Sequence, residues 1–196
     1  MKKIKSEVWF IHWYKYCQAY LSLAHIGLLE LKNETYRKKF DEFEQSNIYT
    51  DKILLVPTIW CLKHAIELLF KALIACITKE FSATHENPEL HEEIKRALAS
   101  LKIKDNQLLR DLIFLSDKYY KLNFWNSFSI SNSSISDDLN DVFRYPESKV
   151  NFNLGIEKFH EVKEENHEEL ENDIKILHKL LLKLSSKIGE KKSKAS

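Results

Sequence analysis

Only three glycines and three prolines punctuate these 196 residues. Sheets need frequent tight turns, and tight turns draw on those two residue types, so the chain is restricted to a few long helices. The length suits one domain, at roughly 150 residues each, and such a chain can bury a core without disulfides or metals to staple it. Hydrophobic residues make up 44% and charged residues 30%, too apolar a mixture for a disordered chain. The expected fold is all-α: a helical bundle of four to five main helices, with a small extended or hairpin insertion before the last. One domain is expected over residues 1–188, followed by a disordered Lys-rich tail over 189–196.

The first helix is expected from about Ser6 to Leu31. Trp9, Trp13, Tyr16, Tyr20, Leu23 and Gly27 recur at four- and three-residue steps, and Phe10, Cys17, Leu21, Ala24 and Leu28 form a second stripe. Two stripes make a wide apolar face for more than one neighbour; His12, Lys15 and Ser22 look outward. Asn33 to about Gln45 reads as a solvated amphipathic helix with Tyr36, Phe40 and Phe43 on one side. Pro57 suits the first turn of the next helix, roughly Thr58 to Lys79.

That helix carries Leu62, Ile66, Leu69, Leu73 and Cys76 as a core stripe, with His64, Glu67 and Lys71 together on the opposite side. Trp60, Phe70 and Ile74 flank the polar trio, so the helix is apolar nearly all round. A helix of that kind belongs at the centre of a bundle, and polar groups on it must find partners. Glu67 and Lys71, four residues apart, can satisfy each other.

Beyond the turn Thr84-His85-Glu86-Asn87-Pro88, a short helix from Glu89 carries His91, Ile94, Ala97, Leu98 and Leu101. Asp105 is placed to cap another, with Leu108, Leu109, Leu112, Ile113, Leu115 and Tyr119 or Tyr120 inward. Ser127 to Ser136 reads as a polar loop. Arg144-Tyr145-Pro146 forces extended backbone, and Lys149 to Leu154 alternates like a short strand. The last helix, Glu157 to Ile188, carries an unbroken seam of Leu170, Ile174, Leu177, Leu181, Leu184 and Ile188. Closing the bundle is a more economical use of that seam than an oligomerisation coil.

Net charge is +1, so no global field draws the protein onto nucleic acid. Arginine occurs only as Arg37, Arg96, Arg110 and Arg144, which limits any bidentate phosphate clamp to few side chains. Cys17, Cys61 and Cys76 are odd in number and lack C-x-x-C spacing, the usage of reduced core thiols in a cytoplasmic protein. Glu7, His12 and Lys15 interrupt what would be the apolar part of a signal peptide. No apolar stretch reaches the roughly 20 residues of a membrane span, so no membrane partner is expected.

The segment Val56 to Ile74, V-P-T-I-W-C-L-K-H-A-I-E-L-L-F-K-A-L-I, resembles the central helix of HEPN-domain proteins, which often carry an H-A-x-E-x-x-x-K-A pattern there. Leu90-His91-Glu92-Glu93-Ile94 resembles the short helix that follows in that family, and Arg144-Tyr145-Pro146 resembles an R-Y-P element before its final helix. The order agrees from about residue 6 to 188. The resemblance implies a helical bundle, commonly a homodimer, that binds nucleotides or RNA. Many relatives are metal-independent ribonucleases of bacterial defence or toxin–antitoxin systems, with an antitoxin or other protein partner. Those nucleases use an Arg followed by four to six residues and a His, and none of the four arginines here has a His at that distance. Lys63 stands where an Arg before His64 would be familiar.

Two function classes follow. In the first, His64, His91 and Arg144 are candidate catalytic residues, with Lys63, Glu67, Lys71 and Tyr145 as candidate ligand-binding residues around a phosphate. In the second, those groups form a sealed structural network, and the protein is a non-catalytic helical interaction or dimerisation module. An open basic cleft around His64, Lys71 and Arg144 would favour the first, and burial of the same groups the second. No cofactor is expected, because the chain has no glycine-rich phosphate loop. No metal is expected either: Glu164 and His167 have di-metal spacing but lie in a charged run that reads as a solvated face, and His85 with His91 lacks further ligands.

Overall fold

The computed structural model describes residues 2–3, 9–33, 50–100, 106–121 and 164–193. Five helices account for nearly all of them: α1 (Trp9–Leu31), α2 (Thr50–Thr78), α3 (Asn87–Ser100), α4 (Asn106–Tyr120) and α5 (Glu164–Ser193). The expected all-α bundle is what the chain forms. Two two-residue strands, β1 (Lys2–Lys3) and β2 (Glu80–Phe81), pair antiparallel. The expected helix over 33–45 and the extended element before the last helix lie outside the described residues, as do Arg144 and Tyr145.

α2 is the axis of the bundle. Every residue from Ala65 to Ala75 is buried, and α1, α3, α4, α5 and β2 all pack against it. Around it α1 packs on α5, α5 on α4 and α4 on α3. The apolar-all-round composition of α2 has its cause here, since only a helix enclosed on all sides needs one.

α1 runs antiparallel to α2 in a near-heptad register. Trp13 meets Lys71, Tyr20 meets His64, and Gly27 meets Thr58. Glycine is required at the last crossing. A Cβ on Gly27 would lie 2.2 Å from Thr58 Oγ1, inside the contact distance of any non-bonded pair of heavy atoms, and 3.3 Å from Thr58 Cβ.

Helix α2 starts eight residues before Thr58 and carries Pro57 inside it. Proline removes one backbone donor and usually ends a helix. Here packing prevails: Leu55 is buried at 1% exposure, Leu54 and Val56 pack against the core, and Pro57 itself faces outward. At its other end the helix stops at Lys79, whose φ of 61° is left-handed. α5 closes the bundle with Leu170, Ile174, Leu177 and Leu181 buried, and it continues through Gly189 to Ser193, into the expected tail. His167, on the face expected to be solvated, is buried at 6% exposure.

Candidate functional site

The polar trio of α2 lies between α1 and the turn before α3. Glu67 and Lys71 are 3% and 2% exposed, and their side chains join, Lys71 Nζ donating to Glu67 Oε1 at 2.7 Å. His85 reaches the same oxygen from the turn before α3, with Nδ1 at 2.8 Å. His64 Nδ1 lies 3.5 Å from Oε2. Trp13 of α1 covers the lysine, its ring centroid 5.5 Å from Nζ. His64 stacks on Trp60 at 5.2 Å with planes 10° apart, and the edge of Tyr20 meets it at 4.6 Å.

Two imidazoles and an ammonium thus converge on one carboxylate. Burial opposes the charge on Glu67, but hydrogen bonds from His64 and Lys71, together with the lysine's charge, outweigh it and hold the carboxyl down at about 2. Lys71 Nζ is also 3.3 Å from His85 Nδ1. Both groups act as donors to Oε1, so Nδ1 of His85 carries a ring hydrogen and Nε2 is the nitrogen that Glu67 does not engage. His85 is held by its turn, in which Thr84 N donates to Ser82 Oγ at 3.3 Å and Glu86 N to Thr84 Oγ1 at 3.1 Å.

The remaining candidates lie elsewhere. Lys63 is fully buried, its Nζ 4.7 Å above the Tyr120 ring of α4. His91 belongs to a separate group joining α3 to α4. Its Nε2 is 3.2 Å from Ser116 Oγ, which donates onward to Asn87 Oδ1 at 2.8 Å, and its Nδ1 is 3.9 Å from Asp117. This has the residue types of a nucleophilic triad but not the chemistry. The serine hydrogen goes to Asn87, so His91 donates to the serine and does not activate it. Ser116 is 0% exposed, out of reach of any substrate. Burial lowers the His91 pKa and keeps the ring neutral.

His85 was visible in the sequence only as a possible zinc ligand. Among the described residues no group of three or more His, Cys, Asp or Glu could hold a metal ion. No helix there is long and apolar enough to cross a membrane. Burial pushes the Cys17 thiol up to about 12 and also raises Cys61, so neither is a nucleophile near neutral pH.

A different surface stands out on α1. Of its first apolar stripe, Tyr16 and Leu23 are 61% and 52% exposed, contrary to the core role their spacing suggests. Ile26 and Leu29 beside them are 56% and 50% exposed. The second stripe behaves as expected, with Cys17, Leu21, Ala24 and Leu28 buried. No family model, curated protein or solved structure matches the chain.

Proposed function

We propose that the chain is a non-catalytic helical docking module whose working surface is the outer side of α1. The observation that carries this is the contiguous apolar arc of Tyr16, Leu23, Ile26 and Leu29, each at least half exposed. Apolar patches of this kind on soluble domains mark interaction sites. The polar group on α2 supports the same reading from the other side. Its lysine is buried and already paired with Glu67, so its charge is taken up within the protein and not presented to a phosphate.

The test is a Leu23→Lys/Ile26→Lys variant. Side chains more than half exposed contribute little to folding, so its unfolding free energy should stay within about 0.5 kcal/mol of the parent. Binding of a hydrophobic dye should fall. A large loss of stability would mean the chain covers this face itself, and the reading would fail.

One observation favours a second reading, the nucleotide- or RNA-binding HEPN-like module. His64 and His85 face Glu67 through Nδ1 while 24% and 64% of their side chains stay exposed, an arrangement suited to proton transfer at Nε2. Total RNA incubated in EDTA with parent, His64→Ala and His85→Ala proteins tests it. Cleavage by the parent and loss in both variants, at matched thermal stability, would move the function to this site.

A further inference from the structure

The exposed arc of α1 is spaced to receive a helix. His12, Tyr16, Ala19, Leu23, Ile26 and Glu30 recur at alternating four- and three-residue steps, the period that keeps a seam turned toward a partner. All but the half-buried Glu30 are exposed. We infer that the occupant is a second copy of the same helix, packed antiparallel across a two-fold axis near the level of Leu21. This rests on the docking reading above.

Complementarity selects both the partner and its direction. Reversed against itself, the seam sets Ala19 opposite Leu23 of the second copy, a small side chain against a large one, and Tyr16 opposite Ile26. At the ends His12 faces Glu30, with Lys15 beside it. The exposed basic groups of this surface thus lie toward one end of α1 and its acidic group toward the other, so reversal joins opposite charges at both ends. A parallel pairing would oppose Ala19 to Ala19, leaving a gap, and Glu30 to Glu30. Antiparallel packing also sets the helix dipoles head to tail.

The size of the contact limits its strength. A helix of 23 residues is about 34 Å long at 1.5 Å per residue, and a strip along it covers a few hundred Å² per partner. That is below the roughly 800 Å² per partner of a standard stable interface, so the association is expected to be weak and transient, with a dissociation constant in the micromolar range or above.

Sedimentation equilibrium on the full chain, from low micromolar to several hundred micromolar, is the first experiment. The expected result is a reversible monomer–dimer equilibrium that Leu23→Glu abolishes with no change in far-UV circular dichroism or melting temperature. Lys15→Glu should weaken it several-fold, and Lys15→Glu combined with Glu30→Lys should restore it. Ser22 flanks the seam one residue from the two-fold axis, where antiparallel pairing brings it within about 3 Å of the level of its own copy, so a Ser22→Cys variant should form a disulfide-linked dimer under mild oxidation that the parent does not. A dimer indifferent to Leu23→Glu, or no Ser22→Cys cross-link, would overturn the pairing. So would a monomer at all concentrations. In that case a Leu23→Cys variant open to maleimide leaves the docking reading standing, whereas a shielded one overturns both.

Discussion

Tyr120 engages Lys63 at both ends: its hydroxyl donates to the lysine's carbonyl oxygen at 3.0 Å, and its ring lies 4.7 Å from the ammonium nitrogen. A fully buried ammonium is costly unless its surroundings compensate for lost water, and the aromatic face supplies part of that compensation. Tyr120→Phe keeps the ring and removes the hydroxyl, so urea unfolding should show a loss of about 1 kcal/mol. Tyr120→Leu removes the ring as well and should cost roughly 3 kcal/mol.

The Glu67 carboxyl gives stability a definite dependence on acid. Its pKa is about 2 in the folded chain against 4.5 for a free side chain. The unfolded state therefore takes up the proton first as pH falls. The stabilisation is complete above about 4.5 and disappears on acidification toward 2. A shift of this size corresponds to roughly 3 kcal/mol. Glu67→Gln should be less stable than the parent at pH 7, and the difference should narrow between pH 4.5 and 2. Denaturant titrations of both proteins across that range decide it; a constant difference would contradict the linkage.

His91 should show a second acid dependence at higher pH. Burial lowers its folded pKa below the ordinary 6.5, so the unfolded ring again protonates first. The contribution is present above 6.5 and diminishes as pH falls through the window below it. Proton NMR of the imidazole should place its midpoint under 6.5. A midpoint above that value would show that Asp117, not burial, governs the ring.

Gly27 and Thr58 form a testable pair. In an exposed helix Gly→Ala gains about 1 kcal/mol. Here the added methyl would meet Thr58 Oγ1 at 2.2 Å, and that hydroxyl is held by donation to Leu54 O at 2.6 Å. Gly27→Ala should therefore destabilise by about 1–3 kcal/mol, the usual cost of overpacking. Thr58→Ala removes the obstruction, so the double variant should recover most of the loss. Simple additivity in a double-mutant cycle would rule out this crossing as the cause.

Periodicity explains what could be read from the sequence. α2 and the seam of α5 were legible because their apolar residues repeat without interruption, and the axial position of α2 follows from its being apolar nearly all round. The start of α2 was not, because the proline rule is local whereas burial of Leu55 is a tertiary effect. Tyr16 and Leu23 were misplaced for a related reason: on a helix apolar over most of its circumference, spacing does not reveal which sector meets solvent. Glu67 and Lys71 paired as their four-residue spacing implied. His85 joined them from a turn eighteen residues away, a contact made by the folded path of the chain and carrying no repeat. His91 shares no partner with them, and Lys63 turns to a different helix.

The Gly27–Thr58 crossing and the buried stripe bind one side of α1 to the axis of the bundle, while at least half of each apolar residue on its outer arc stays exposed. The two sides therefore answer to separate constraints. Substitutions on the inner side must be matched by changes in α2, but those on the outer arc can accumulate freely so far as folding is concerned. Related chains could exchange one recognition specificity for another along this single helix and keep the scaffold intact.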